Sequence, residues 1–254
     1  MVEKFSRHLR FDSVVNFRDI GGYEGYHGKS VVWRRIFRSG EFRNVTREDM
    51  ERLTNELGVN AIIDLRSEYE LKNNGKGLLE GCGIKYCNIS FMADGGDPNA
   101  NARRYKDLTN MGDFYLELMR QKEFGTRIVQ ALETIAEPAN HPLVFHCAVG
   151  KDRTGMLAAM LLKLLGVKEA DIIEDYSLSE PYMDELLAKI KAMPDQDGKN
   201  KLPDIPDYFW KASPAYMKKL LSTLKKEYGS VEKYLKEMGM AESLPRRLSK
   251  LLLN

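Results

Sequence analysis

Apolar positions in this chain gather in short strand-like stretches, separated by stretches with helical spacing. Residues 31–37, 60–65, 84–90 and 142–145 are runs of four to seven residues, the length of strands buried on both faces of a sheet. Between them the apolar period lengthens. Thr46 predicts an N-cap, with Met50, Leu53 and Leu57 on one helical face and Gly58 as the stop. Helices are expected near 112–121 and 126–137, and a small-residue helix over 154–165 follows the last strand. Strands alternating with helices predict an α/β layered fold. Beyond Leu165 the pattern is almost wholly helical: 170–179, 182–193, Pro214–Tyr228, 231–238 and Leu244–Leu252. Pro214 follows Ser213 as a first-turn proline, and Gly229 parts two of these helices. Residues 94–101 and 194–200 are rich in Gly, Asp, Asn and Pro and read as loops.

Composition narrows the picture little. The 254 residues suit one large domain, or a compact domain with an appendage, and 43% hydrophobic with 30% charged residues is ordinary for a globular enzyme. A net charge of +2 creates no field that calls for nucleic acid. The first eight residues lack an apolar signal region and no run approaches a membrane span, so a cytoplasmic protein without membrane insertion is expected, with secretion left open. Three cysteines (Cys82, Cys87, Cys147) argue against a disulfide framework. Packing accounts for Cys82 and Cys87, with reversible protection of Cys147 as the sharper alternative. Cys and His show no metal-ligand spacing, so neither a metal nor another cofactor is expected.

The chemistry concentrates in His146-Cys147-Ala148-Val149-Gly150-Lys151-Asp152-Arg153-Thr154-Gly155, between a strand and a helix. A tight loop at a helix start converges backbone N–H groups on one point, and such a nest binds a tetrahedral oxyanion. Residues Ala148 to Arg153 are the candidate phosphate-binding set. Cys147 would attack as a thiolate, which a helix N-terminus and nearby cations favour, and Arg153 would grip two anion oxygens. His146, by strand alternation, points away from the pocket and would steady Cys147 by hydrogen bonding. Proton transfer is its alternative role. Thr154 could bond the sulfur or simply begin the helix. Lys151 would add a second positive charge suited to multiply anionic substrates. The leaving oxygen needs an acid, and Asp152 in the loop and Asp94 in the loop after the third strand are the candidates, with Asp97 close to the latter. Asp152 is the more damaging loss to expect.

These residues resemble the P-loop His-Cys-x-x-Gly-Lys-Asp-Arg of the bacterial atypical tyrosine and lipid phosphatases. The resemblance extends to Asn16-Phe17-Arg18-Asp19, Phe37-Arg38-Ser39-Gly40-Glu41, Asp64-Leu65-Arg66-Ser67, Asp175-Tyr176, Tyr228-Gly229-Ser230 and Tyr234-Leu235, nearly the whole chain. It implies a tyrosine-phosphatase-like central sheet flanked by helices, with extra C-terminal helices, in a single domain over 1–254. A helical lid near 170–210 would be an insertion in it. It also implies a metal-free hydrolase acting on phosphotyrosine, with varying activity on phosphoserine, phosphothreonine and phosphoinositides. The family's nucleophile falls on Cys147 and its phosphate-binding arginine on Arg153, with its motif Lys and Asp on Lys151 and Asp152. The chain departs from the pattern after Ser90, where Phe91-Met92-Ala93-Asp94 carries its first aspartate late. It also has no Trp-Pro-Asp tripeptide of the eukaryotic enzymes. The rival readings are another Cys-x5-Arg enzyme, an arsenate reductase or sulfurtransferase, and a catalytically idle phosphate-binding module.

Overall fold

The computed structural model describes residues 6–92, 108–192 and 206–254, with the side chains of 189–192 left aside. Five strands form one sheet: β1 (Arg18–Asp19), β2 (Ile36–Ser39), β3 (Ala61–Asp64), β4 (Lys85–Asn88) and β5 (Leu143–His146). Their spatial order is β1-β2-β5-β3-β4. β1 runs antiparallel to β2, and the other neighbours are parallel. The strand that delivers Cys147 is therefore the central one, and its C-terminal end opens on the crevice where ligands bind in open α/β sheets.

Every residue of β5 is fully buried. Alternation divides the apolar ones between two cores. Ile36, Ile63, Leu143 and Phe145 join the large helical core on one face, while Phe37, Ile62 and Val144 meet Leu53, Met50 and the N-terminal Phe11 and Phe17 on the other.

The helices are α1 (Arg47–Glu51), α2 (Glu68–Asn74), α3 (Met111–Met119), α4 (Lys122–Ile135), α5 (Asp152–Leu164), α6 (Glu169–Ser177), α7 (Glu180–Ala192), α8 (Pro214–Tyr228), α9 (Val231–Glu237) and α10 (Leu244–Leu252). The mixed α/β expectation is met. Four details differ from the sequence pattern. The run at 31–37 breaks at Arg34, whose φ is +60°, because the Asp19 carboxylate accepts the N–H groups of Gly21 and Arg34 and pins a turn there. Val31 bridges Leu253 instead, and β2 starts five residues later. The helix capped by Thr46 loosens into a π-type turn over Arg52–Glu56, where Thr54 Oγ1 donates back to the Met50 carbonyl at 2.9 Å. The 84–90 run forms a strand only over Lys85–Asn88, opposite the four residues of β3. Lastly, α2 has no counterpart in the apolar pattern, since none of its residues is buried. A capping box starts it: Glu70 N–H donates to Ser67 Oγ at 3.2 Å, and the Glu70 carboxylate accepts Ser67 N–H at 2.8 Å.

Within the expected cover at 170–210, α6 packs on α5 and α8 and buries Ile172, Asp175 and Tyr176. On α7, Met183 is buried while Tyr182 lies near the surface, its hydroxyl 3.3 Å from His8 Nδ1.

Candidate active site

The loop 147–151 is fastened by its carbonyls. The Cys147 carbonyl lies 3.1 Å from His146 Nδ1, and the Ala148 carbonyl accepts Glu41 N–H at 3.0 Å. The Val149 carbonyl accepts Asn16 Nδ2 at 3.0 Å, and the Gly150 carbonyl accepts Arg38 Nη2 at 2.8 Å. Lys151 gives its carbonyl to Gly155 N–H at 2.8 Å, as the first bond of α5. In a trans peptide the N–H points opposite the C=O. Turning five successive carbonyls outward therefore aims the N–H groups of residues 148–152 into the loop's interior. Among the described residues no acceptor takes those five N–H groups. With α5 behind them, this arrangement is the kind that can receive an anion.

Gly150 closes the loop at φ +72°, and a Cβ there would lie 2.6 Å from the Ser39 carbonyl carbon. Only glycine fits.

The fastening side chains form one buried network. Asp175 on α6 accepts Arg18 Nε at 3.2 Å and Arg38 Nη1 at 2.5 Å, and all three side chains are essentially inaccessible. Asn16 Oδ1 takes Arg18 Nη1, and Ser179 Oγ lies 3.2 Å from Asn16 Nδ2 and 3.3 Å from Arg18 Nη2. Burial opposes ionisation of Asp175, but the two guanidinium groups outweigh it and hold the carboxyl at about 2. Burial and the neighbouring Arg38 charge lower Arg18 to about 10.

A second network lies under His146. Its Nε2 is 3.4 Å from Asp64 Oδ2, and Phe42 packs edge-on against the ring with centroids 5.0 Å apart. Asp64 also holds Arg66, with Nη2–Oδ2 at 2.7 Å, and accepts the Tyr86 hydroxyl at 2.6 Å. Arg66 in turn bonds Glu41 Oε2 at 2.6 Å. Burial lowers the His146 pKa below the ordinary imidazole value and so favours the neutral ring.

The sequence candidates are placed as follows. Cys147 is buried at the end of β5. Arg153, on the first turn of α5, meets Glu70 end-on, with Nη1–Oε2 at 2.5 Å and Nη2–Oε1 at 2.8 Å. Burial alone would raise the Glu70 pKa, but the Arg153 charge lowers it below the usual carboxylate value. Lys151 does not face outward. It is fully buried, with Nζ donating to the carbonyls of Phe209 and, at 3.1 Å, Lys211, and lying 3.6 Å from Asp152 Oδ1. Asp152 is 15% exposed, and its Oδ1 accepts the Tyr115 hydroxyl. Thr154 Oγ1 is buried and bonds neither the Cys147 sulfur nor any other described group, so the expected sulfur contact is not made here. Asp94 and Asp97 lie outside the described residues. Cys82 and Cys87 are half-buried free thiols. Among the described residues no three His, Cys, Asp or Glu side chains are grouped to hold a metal ion, and no helix is long and apolar enough to cross a membrane.

Sequence reasoning singled out the loop but gave no roles to Glu70, Tyr115, Asn16, Arg18, Arg38 or Asp175. The Ser67-x-x-Glu70 capping box was the readable sign for the first. The last four stood in the family-like segments, but what they contact is set by the fold.

A cysteine at the end of the central parallel strand, an oxyanion nest and an arginine six residues on define a Cys-x5-Arg phosphatase. The model of the tyrosine phosphatase family matches residues 9–254, and the chain belongs to that family. Among named relatives, the triple specificity protein phosphatase PtpB of Mycobacterium tuberculosis is 28% identical over 94% of this chain and 96% of its own. The tyrosine-protein phosphatase of Nostoc commune is 28% identical over 81% of this chain and 69% of its own. Among solved structures, the core catalytic domain of the PP-IP phosphatase SIW14 from S. cerevisiae aligns with a TM-score of 0.38 and 24% identity, over 57% of this chain and 70% of that one. Family membership bears out the resemblance read from the motifs and sets the arsenate reductase and sulfurtransferase readings aside.

Proposed function

We propose that this chain hydrolyses phosphoric monoesters through a phosphocysteine on Cys147. The observation that carries the reading is the fastening of the carbonyls of residues 147–151 by other groups, while the N–H groups of residues 148–152 have no acceptor among the described residues and can be given to an anion. A phosphate dianion seated there accepts those N–H groups, and Arg153, oriented by Glu70, takes two further oxygens. The Cys147 thiolate attacks phosphorus in line. The S–P bond forms as the P–O bond to the leaving group breaks, and Asp152 gives its proton to the departing oxygen. The Asp152 carboxylate then takes a proton from water. That water attacks phosphorus, the S–P bond breaks, and inorganic phosphate leaves with the thiolate restored. The nest stabilises the equatorial oxygens in both steps and needs no reorganisation to do so.

For substrates, we read a phosphotyrosine enzyme whose range extends to phosphoserine, phosphothreonine and phosphoinositides. The relative named as a triple specificity phosphatase supports that breadth. Lys151 enters this reading as a tie between the loop and residues 209–211 rather than as a substrate contact. A movable cover in this reading begins at α7, because α6 carries Asp175 into the loop's own support.

The test is hydrolysis of p-nitrophenyl phosphate, a phosphotyrosine peptide and a phosphoinositide by wild type and Cys147→Ser. Wild type turns over at least the first two, and the serine variant binds phosphate without turnover. Activity in Cys147→Ser above a tenth of wild type would overturn the mechanism.

A further inference from the structure

The buried tyrosine pair Tyr115 and Tyr176 has no part in the mechanism so far, yet it ends on the carboxylate proposed as the acid. Tyr115, on α3, donates its hydroxyl to Asp152 Oδ1. Tyr176, on α6, lies 2.6 Å from the Tyr115 hydroxyl, oxygen to oxygen, with the rings edge to face at 6.1 Å between centroids. Both rings are essentially inaccessible. Two helices remote in sequence thus bring two phenols to one oxygen of a loop side chain.

We propose that Tyr115 is a positioning residue for Asp152: it holds Oδ1 as an acceptor so that Oδ2 carries the transferred proton. The inference rests on the reading of Asp152 as the acid and adds the device that aims it. Oδ1 accepts the Tyr115 hydroxyl, and the Lys151 ammonium lies 3.6 Å from the same oxygen as an ion pair. A carboxyl with donors on one oxygen puts its own proton on the other. Tyr115 keeps its proton throughout, since burial and the adjacent Asp152 charge push its pKa well above the ordinary phenol value. It therefore cannot itself be the acid at neutral pH. Tyr176 is likewise raised by burial and by Asp152, which leaves the Tyr115 proton committed to the carboxylate. Gly155 allows this approach, because a Cβ there would lie 2.9 Å from the Tyr176 ring.

The charged and titratable groups around Asp152 set the sign of the effect. They are Lys151 from the loop, Tyr115 from α3 and Tyr176 from α6; Lys151 in turn feels Cys147 and Glu180 of α7, and Tyr176 feels Tyr216 of α8 and Arg38 of β2. A hydroxyl that donates to the carboxylate favours the ionised form. Removing it favours the protonated form over the ionised one. The alkaline limb of kcat/KM then moves to higher pH.

The experiment compares Tyr115→Phe, Tyr176→Phe and Asp152→Asn on a phosphotyrosine peptide and on p-nitrophenyl phosphate across pH. Tyr115→Phe is expected to lose about tenfold in kcat on the peptide, far less on the ester with the acidic leaving group, and to shift the alkaline limb upward, with KM little changed. Tyr176→Phe, which leaves the Tyr115 bond in place, moves the limb the same way by less, and keeps the test open should Tyr115→Phe fold poorly. If both tyrosine variants lower the two substrates equally with the pH profile unmoved, while Asp152→Asn still hits the peptide harder, the positioning role is wrong and the acid stands. If Asp152→Asn itself shows no leaving-group dependence, the acid assignment fails, and this inference with it.

Discussion

The Arg153 guanidinium and the Glu70 carboxylate meet end-on, at 2.5 and 2.8 Å, across two helix starts. Each partner sits on the first turn of its helix, α5 or α2, and each turn is fixed independently. The phosphate loop leads into one, and the Ser67–Glu70 capping box begins the other. Glu70 therefore does two jobs with one carboxylate: it caps α2 and sets the plane of Arg153. Arg153→Lys keeps the charge and loses the fork, so kcat/KM is expected to fall by about 10²-fold. Glu70→Gln keeps the shape and loses the charge. It should cost roughly tenfold in kcat/KM and weaken inhibition by inorganic phosphate or vanadate. Unchanged inhibitor affinity in Glu70→Gln would show that Glu70 does not orient the arginine.

Asp175 bridges Arg18 and Arg38, and all three are buried. Asp175→Asn leaves two guanidinium groups facing each other without a counter-charge, a loss of the order of 3–5 kcal/mol in stability. Because Arg38 also fastens the Gly150 carbonyl, activity should fall before the protein unfolds. Thermal denaturation and turnover at a temperature well below the midpoint would separate the two effects. Wild-type turnover in a destabilised variant would detach this network from the site.

Gly150→Ala adds a methyl at φ +72°, 2.6 Å from the Ser39 carbonyl carbon. Backbone strain of this kind costs about 1–3 kcal/mol, and the loop can relieve it only by rotating peptides whose N–H groups form the nest. The expected result is loss of phosphate binding with modest loss of stability. Unaltered phosphate affinity would contradict the nest geometry.

Stability should decline with acid in two stages. His146 is held below its ordinary 6.5 by burial, so below that pH the unfolded chain takes up a proton that the native chain refuses, and stability begins to fall there. Asp64 and Asp175 are both held at about 2 against an unfolded value of 3.8. Their contribution is fully present above the unfolded value and is lost as the pH falls from about 4 toward about 2. Midpoints measured from about pH 8 to 3 check this, and a flat profile between about 7 and 5 would rule out a buried neutral His146.

The loop was legible because its chemistry is local: a thiol, glycine and arginine at fixed spacing between a strand and a helix. The helices Pro214–Tyr228 and Leu244–Leu252 were legible to the residue, since Ser213-Pro214 and an apolar period mark them. What escaped is non-local. Helix α2 buries no apolar face, so periodicity is blind to it, and only its capping box announces it. Lys151 reads as a second pocket cation for anionic substrates until residues 209–211 supply carbonyls for its ammonium. Arg18, Arg38 and Asp175 look like ordinary charged residues in sequence. Only the parallel pairing of β2 with β5, and the packing of α6 against α5, brings them behind the same peptide bonds.

Rapid acid quench of the wild-type enzyme with p-nitrophenyl phosphate, followed by mass analysis of the peptide containing residues 146–153, tests the account most directly. An acidic leaving group makes the first step fast, so the intermediate accumulates. The account predicts one phosphoryl group on Cys147, formed as fast as nitrophenolate is released and absent in Cys147→Ser. A burst of nitrophenolate with no phosphoryl group on Cys147, or with the group on another residue, would contradict it.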